Sequence, residues 1–306
     1  MTNQNERDAG ATRRQVLRTT AYAAAAGLAA AGVARAQAQA FDAARVRDGR
    51  LKQSLVHWCY REAWPDVEQF AKTARELGCH SVELIGPEHW PVLKKHGLTC
   101  AISGSHGFVK GFNNPKNWPE CTDILTKRID ACAEAGVPSV ITFTGMREKD
   151  IPDDLGAKHC VDGYKKIVGH AEKKKVKVCL EMLNSRDSSH PMKGHPGYQG
   201  DHIDYCAEII KQVGSPRLKL LFDIYHVQIM DGDVIRRIRQ HKDHIGHIHT
   251  AGVPGRGELD EKQEVNYPAV MRAIAEAKIE AYVGQEFIPT RDALEGLRQA
   301  CEVCAV

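Results

Sequence analysis

From Ser54 onward the chain alternates short, almost purely apolar runs with longer amphipathic stretches, and the alternation repeats eight times. The apolar runs are Ser54–Trp58, Ser81–Ile85, Thr99–Ser103, Ser139–Thr144, Lys177–Met182, Leu218–Asp223, Ile245–Thr250 and Tyr282–Phe287. They are rich in Val, Ile and Leu and mostly continuous, as expected of parallel strands covered on both faces. Helical patterns separate them: Val67–Leu77, Pro119–Ala135, Ala157–Lys174, Ile203–Val213, Val234–His241, Tyr267–Ala277 and Arg291–Cys301. Gly78, Gly97, Gly136 and Gly214 supply helix stops before the next strand. Eight strand–helix units without a linker predict one α/β domain over residues 41–306, a (β/α)8 TIM barrel. An open doubly wound sheet would carry a glycine-rich phosphate loop after its first strand, and none is present.

The first forty residues read differently. Arg13-Arg14 precede an Ala/Gly-rich stretch from Thr19 to Val33, and Ala34-Arg35-Ala36 and Ala38-Gln39-Ala40 offer small-residue exits. This describes a twin-arginine export signal over residues 1–40, cleaved near Ala36 or Ala40, and hence a periplasmic or otherwise exported protein handled by the twin-arginine translocase. The apolar run, about 15 residues and mostly Ala, is too short and weak for a membrane span. Removing residues 1–36 takes five arginines, Glu6 and Asp8 from totals of 42 basic and 39 acidic residues, leaving 37 of each. A neutral mature chain argues against a nucleic-acid partner.

Ten cysteines are scattered through apolar helix and strand patterns, where a free thiol behaves as a small hydrophobe, so no disulfide framework is expected. Cys301 and Cys304 have C-x-x-C spacing, but without a second pair they carry no metal or redox reading.

Four consecutive strand candidates end in residues that ligate divalent metals: Glu181, Asp223, His249 and Glu286. Parallel strands bring their C-terminal tips to one mouth. Three carboxylates and an imidazole there suit one hard or borderline cation, Mn²⁺, Mg²⁺, Co²⁺ or Zn²⁺. His247 shares a strand face with His249, which is favoured because it lies nearer the tip. His57 closes the first strand and His106 lies in the loop after the third, so both are candidate pocket residues, with Trp58 or Phe108 as an apolar wall. Long loops follow the third, fifth and seventh strands, where specificity is usually built.

The segments Leu180-Glu181-Met182-Leu183-Asn184-Ser185-Arg186-Asp187, Asp223-Ile224-Tyr225-His226, Gly246-His247-Ile248-His249, Pro254-Gly255-Arg256 and Gly284-Gln285-Glu286-Phe287 together resemble the hydroxypyruvate isomerase family. That family sits within the xylose-isomerase-like barrels of sugar isomerases and ketose epimerases. The resemblance spans roughly Leu55 to the C-terminus. It implies a metal held by Glu181, Asp223, His249 and Glu286, with Glu181 and Glu286 also the acid/base pair, and substrate contacts from His226 and Arg256. The implied reaction is metal-dependent isomerisation or epimerisation of a small hydroxy-carbonyl compound or sugar through a cis-enediol. A lyase or dehydratase acting on a 3-keto-glycoside would use the same enolate, and a non-catalytic periplasmic sugar-binding barrel is the reading of a different class. A homo-oligomer is compatible with the sequence, which does not address it.

Overall fold

In the computed structural model, residues 41–306 are described; the export-signal reading of residues 1–40 lies outside them. Seven parallel strands form one curled sheet in the order β2-β1-β7-β6-β5-β4-β3. They are β1 Lys52–Val56, β2 Ser81–Glu83, β3 Ser139–Thr142, β4 Lys177–Glu181, β5 Leu218–Asp223, β6 Ile245–Thr250 and β7 Tyr282–Gln285. β3 to β7 are buried nearly throughout, which matches their continuous apolar runs. Helices connect them, among them Val67–Glu76, Trp118–Ala135, Ile203–Val213, Val234–His241, Tyr267–Glu276 and Ala293–Cys304.

The third predicted strand, Thr99–Ser103, is reduced to two isolated parallel bridges, Ser81 with Thr99 and Ser103 with Val140. It still spans the interval between β2 and β3. Its ladder is interrupted at Ala101, whose backbone N–H donates to Ser81 Oγ at 2.8 Å and whose carbonyl accepts from Ser139 Oγ at 2.6 Å. Hydroxyls from both neighbouring strands thus occupy backbone groups that a regular ladder would use. The expected helix Ala157–Lys174 is also two pieces, Asp153–Tyr164 and Val168–Lys174.

Short helices that periodicity missed sit at the strand tips. His57–Tyr60 replaces the end of the predicted first strand, and Ile224–Met230 follows β5 directly. At the other side of the sheet, Gln53 donates to the Cys301 carbonyl at 2.8 Å and accepts from Gln285 at 3.0 Å, while Thr250 donates to Gln285 at 2.7 Å. This buried polar chain ties β1, β7 and β6 to the last helix. That helix continues to Cys304, which is buried, so the C-x-x-C pair lies in packed structure rather than at a frayed end. All ten cysteines are free thiols; the Cys79 and Cys301 sulfurs approach to 3.7 Å.

Ser81→Ala should leave the buried Ala101 N–H unpaired. We expect a loss of about 1–3 kcal/mol in chemical denaturation, without change in the secondary-structure spectrum.

Candidate metal centre and active-site mouth

The site assembles because each of its charged residues ends a strand or follows one. Glu181 is the last residue of β4, Asp223 the last of β5, and His249 the fifth residue of β6; Glu286 comes one residue after β7. In the register, Asp223 lies opposite His249 and His249 opposite Gly284, while Glu181 pairs with Leu221 and Glu286 follows two residues after Gly284, so the four stand staggered at the C-terminal ends of adjacent strands. One ligand atom from each lies within 4.8 Å of the others, and all four residues are buried.

Local structure sets each orientation. Asp223 Oδ1 accepts the backbone N–H of Tyr225 at 2.8 Å and caps the helix Ile224–Met230. Its Oδ2 is left for the mouth, 3.4 Å from an Arg256 nitrogen and 3.5 Å from His226 Nε2. His249 turns Nδ1 towards Glu286 at 2.9 Å and Glu181 at 3.6 Å. Glu286 also accepts from Trp58 Nε1 at 3.1 Å and from Arg256 at 2.5 Å. Glu181 is less committed: its Oε1 is buried without a hydrogen-bond partner.

The electrostatics follow from burying three carboxylates together. Burial pushes Asp223 up to about 7 despite Arg256, with Glu286 adding repulsion. Burial likewise raises Glu181, opposed by its contact with His249. Glu286 is buried too, but Arg256 and His249 outweigh that cost and hold it well below the ordinary carboxylate range. Burial works against a charged His249, yet Glu286, Glu181 and Glu83 together raise it well above 6.5.

Arg256 is drawn deep into this cluster. Its residue has φ +57° in the turn closed by the Gly252 N–H to the Gly257 carbonyl, 2.8 Å. The guanidinium lies 5.3 Å from the Trp58 ring centroid and 5.5 Å from that of Tyr225, donates to the Met192 carbonyl at 2.5 Å, and keeps a buried, unpartnered Nε. His226 is fully buried; its Nδ1 accepts the Asn184 backbone N–H at 3.1 Å, which leaves the proton on Nε2, an unpartnered atom on the Asp223 side.

Above the cluster opens a cavity of about 240 Å³ whose walls include Glu181, Glu286, Arg256, Trp58, Phe108, Phe143, Leu183, Met192, His106 and His195. His106 lines it with both ring nitrogens engaged, Nδ1 with the Gly107 and Lys110 carbonyls and Nε2 with Thr142 Oγ1. His57 does not line it; as the first residue of the helix His57–Tyr60 its ring turns to Phe70, 5.8 Å away, and Trp58 takes the mouth position. His195, to which the sequence assigned no role, faces the cavity and stacks on Phe108 at 4.2 Å. Burial and the Arg256 charge lower it to about 4, so it is neutral at neutral pH. Glu83 was also missed. It ends β2 and contacts His249 and His247 inside the barrel. The sequence ran this strand on to Ile85, which put Glu83 inside the apolar run and not at its tip, whereas the structure ends the strand at Glu83.

The profile of the xylose isomerase-like TIM barrels matches residues 71–305. The human protein named "Putative hydroxypyruvate isomerase" is 37% identical over 247 residues, 79% of this chain and 81% of its own length. The 2-oxo-tetronate isomerase of Cupriavidus necator is 34% identical over 250 residues, 76% of this chain and 90% of its own. An AP endonuclease of family 2 from Brucella melitensis superposes with a TM-score of 0.70 at 22% identity, over 81% of this chain and 97% of its own. The IolI protein with a zinc atom does so at 0.65 and 18% identity, over 83% and 96%. At such identities the two structures speak to the fold alone. The chain belongs to the xylose isomerase-like TIM barrels and, within them, to the hydroxypyruvate isomerase family.

Two outcomes test this electrostatic picture. Arg256→Met leaves Glu286 and Asp223 without their buried cation, and should cost the metal-free protein about 3–5 kcal/mol in urea unfolding. His195 has its folded pKa below the unfolded value of 6.5. The unfolded chain therefore takes the proton first, and stability falls as pH drops from 6.5 towards about 4. In His195→Gln, denaturation midpoints across that window should fall less steeply than in the wild type.

Proposed function

We propose that this isomerase uses one divalent cation to move a proton between neighbouring carbons of a small hydroxy-carbonyl compound. The carrying observation is the set Glu181, Asp223, His249 and Glu286, four buried ligand atoms within 4.8 Å of one another beneath a cavity. Three carboxylates and one imidazole fit a hard or borderline dication, and the orphaned Glu181 Oε1 is a buried acceptor that such a cation would satisfy. Mn²⁺, Mg²⁺, Co²⁺ and Zn²⁺ all suit that donor set. When bound, the cation would polarise the substrate carbonyl and acidify the adjacent C–H.

The chain's own residues would do the rest. Glu181 and Glu286 both reach the cavity and serve as the pair that removes and returns the proton. Return at the adjacent carbon is isomerisation; return on the opposite face of the same carbon is epimerisation. His226 offers its Nε2–H, and Arg256 its Nε–H, to substrate oxygens. Met192 and Phe108 wall the cavity and restrict water. Hydroxypyruvate and 2-oxo-tetronate, the compounds named for the two relatives, have three and four carbons, a size that suits about 240 Å³. A binding-only barrel would have no use for two glutamates facing the same cavity.

We also propose that the protein acts outside the cytoplasm. Support comes from Arg13-Arg14, the Ala-rich run and the small-residue exits of residues 1–40.

Solvent-deuterium incorporation followed by NMR tests the reaction. Exchange into a small hydroxy-ketone or 2-oxo acid should vanish with chelator, return with Mn²⁺, and fall about 10²–10⁴-fold in Glu286→Gln. Exchange that persists after complete chelation would sink the metal-dependent reading.

A further inference from the structure

Glu83 is a fully buried carboxylate that the chemistry above does not use. It ends β2, which is separated from β6 by β1 and β7 in the sheet order, yet it touches the β6 histidines across the barrel interior. One oxygen, Oε1, accepts from His249 Nε2 at 2.7 Å and from His247 Nε2 at 3.0 Å. The other, Oε2, is buried without a partner. The two rings stand edge to face, with centroids 5.0 Å apart.

A glycine makes this reach possible. At Gly284, paired with His249 in the sheet, a Cβ would fall 2.3 Å from Glu83 Oε1 and 2.9 Å from His249 Cδ2. Any side chain at position 284 would push the carboxylate off the imidazole. Gly284 has no left-handed backbone to explain its identity, since it is absent from the positive-φ glycines. Close approach is therefore its physical reason.

The consequence falls on His249. A ring that donates Nε2–H to a carboxylate presents Nδ1 as its free lone pair once that atom is unprotonated, and Nδ1 is the atom that faces Glu181 and Glu286. Carboxylates behind metal-binding histidines commonly hold the ring and its tautomer in this way. We propose that Glu83 is a positioning residue for metal binding, fixing the orientation and tautomer of His249, with His247 bracing the carboxylate and Gly284 leaving the space it crosses. This rests on the four-ligand reading of the site. Glu83 touches no part of the cavity and is not assigned a role in proton transfer.

The test uses the full chain, with Mn²⁺ titrated calorimetrically into chelator-treated protein and ¹⁵N-histidine spectra recorded with Zn²⁺. Wild type should bind one Mn²⁺, and its Zn²⁺ form should show His249 protonated at Nε2. Glu83→Gln should weaken Mn²⁺ about 10–100-fold, while its metal-free form keeps the wild-type secondary-structure spectrum. His247→Gln should weaken it less, and Gly284→Ala about as much as Glu83→Gln. The spectrum of the wild type itself decides the question should a variant not fold: His249 bearing its proton on Nδ1, with Nε2 on the metal, overturns the proposal. Equal Mn²⁺ affinity in Glu83→Gln and wild type also overturns it while leaving the four-ligand site standing. Two Mn²⁺ per chain, one lost in Glu83→Gln, would make Glu83, His247 and His249 a ligand set instead of a brace. No binding by wild type would remove the four-ligand reading itself, and the role of Glu83 with it.

Discussion

Everything at the mouth of this barrel answers to one constraint, the burial of Glu181, Asp223 and Glu286 within reach of one another. Like charges at that separation in a low-dielectric interior repel strongly unless cations neutralise them. His249 and Arg256 are the cations available, and both are fully enclosed. The arrangement is asymmetric. Glu286 takes Trp58, His249 and Arg256 together, whereas Glu181 keeps an oxygen with no partner. Two carboxylates in one cavity therefore differ in basicity because their neighbours differ, a familiar way to divide acid and base duties.

The scaffold serves this constraint in concrete ways. Asp223 spends one oxygen as a helix cap and is thereby locked with the other facing the mouth. The turn carrying Arg256 folds back so that its guanidinium is clamped between two aromatic rings and onto the carbonyl of Met192. The loop after β4 is thus connected directly to the charge cluster. Deeper in the barrel, Glu83 repeats the pattern in miniature, held at about 2 because His247 and His249 outweigh the cost of its burial.

Several of these features were legible in the chain. The strand ends at Glu181, Asp223, His249 and Glu286 stood out because a charged residue closing an apolar run needs a partner. Arg256 and His226 were reachable only through family resemblance. His57 and Trp58 show a limit of periodicity: one helical turn at the tip of β1 rotates the chain, so the indole faces the mouth and the imidazole turns to Phe70. His195 and Glu83 were assigned no role because nothing along the chain connects them to the residues they meet. The third predicted strand dissolved into two bridges because hydroxyls from Ser81 and Ser139 took the backbone groups of Ala101, a competition invisible to hydropathy.

By itself the sequence determined the alternation and order of the strand–helix units, the parallel sheet they form, and the strand tips where ionisable residues collect. Those properties are local, written in hydrophobic period and in the identity of the residue that ends each run. Only the tertiary structure decided which nitrogen of His249 faces the carboxylates, where Arg256 lands, and that Glu83 crosses beneath Gly284 to meet the β6 histidines. Such contacts join residues as many as 166 positions apart. They depend on sheet curvature and on the space left by a missing Cβ, and no periodicity along a chain encodes either.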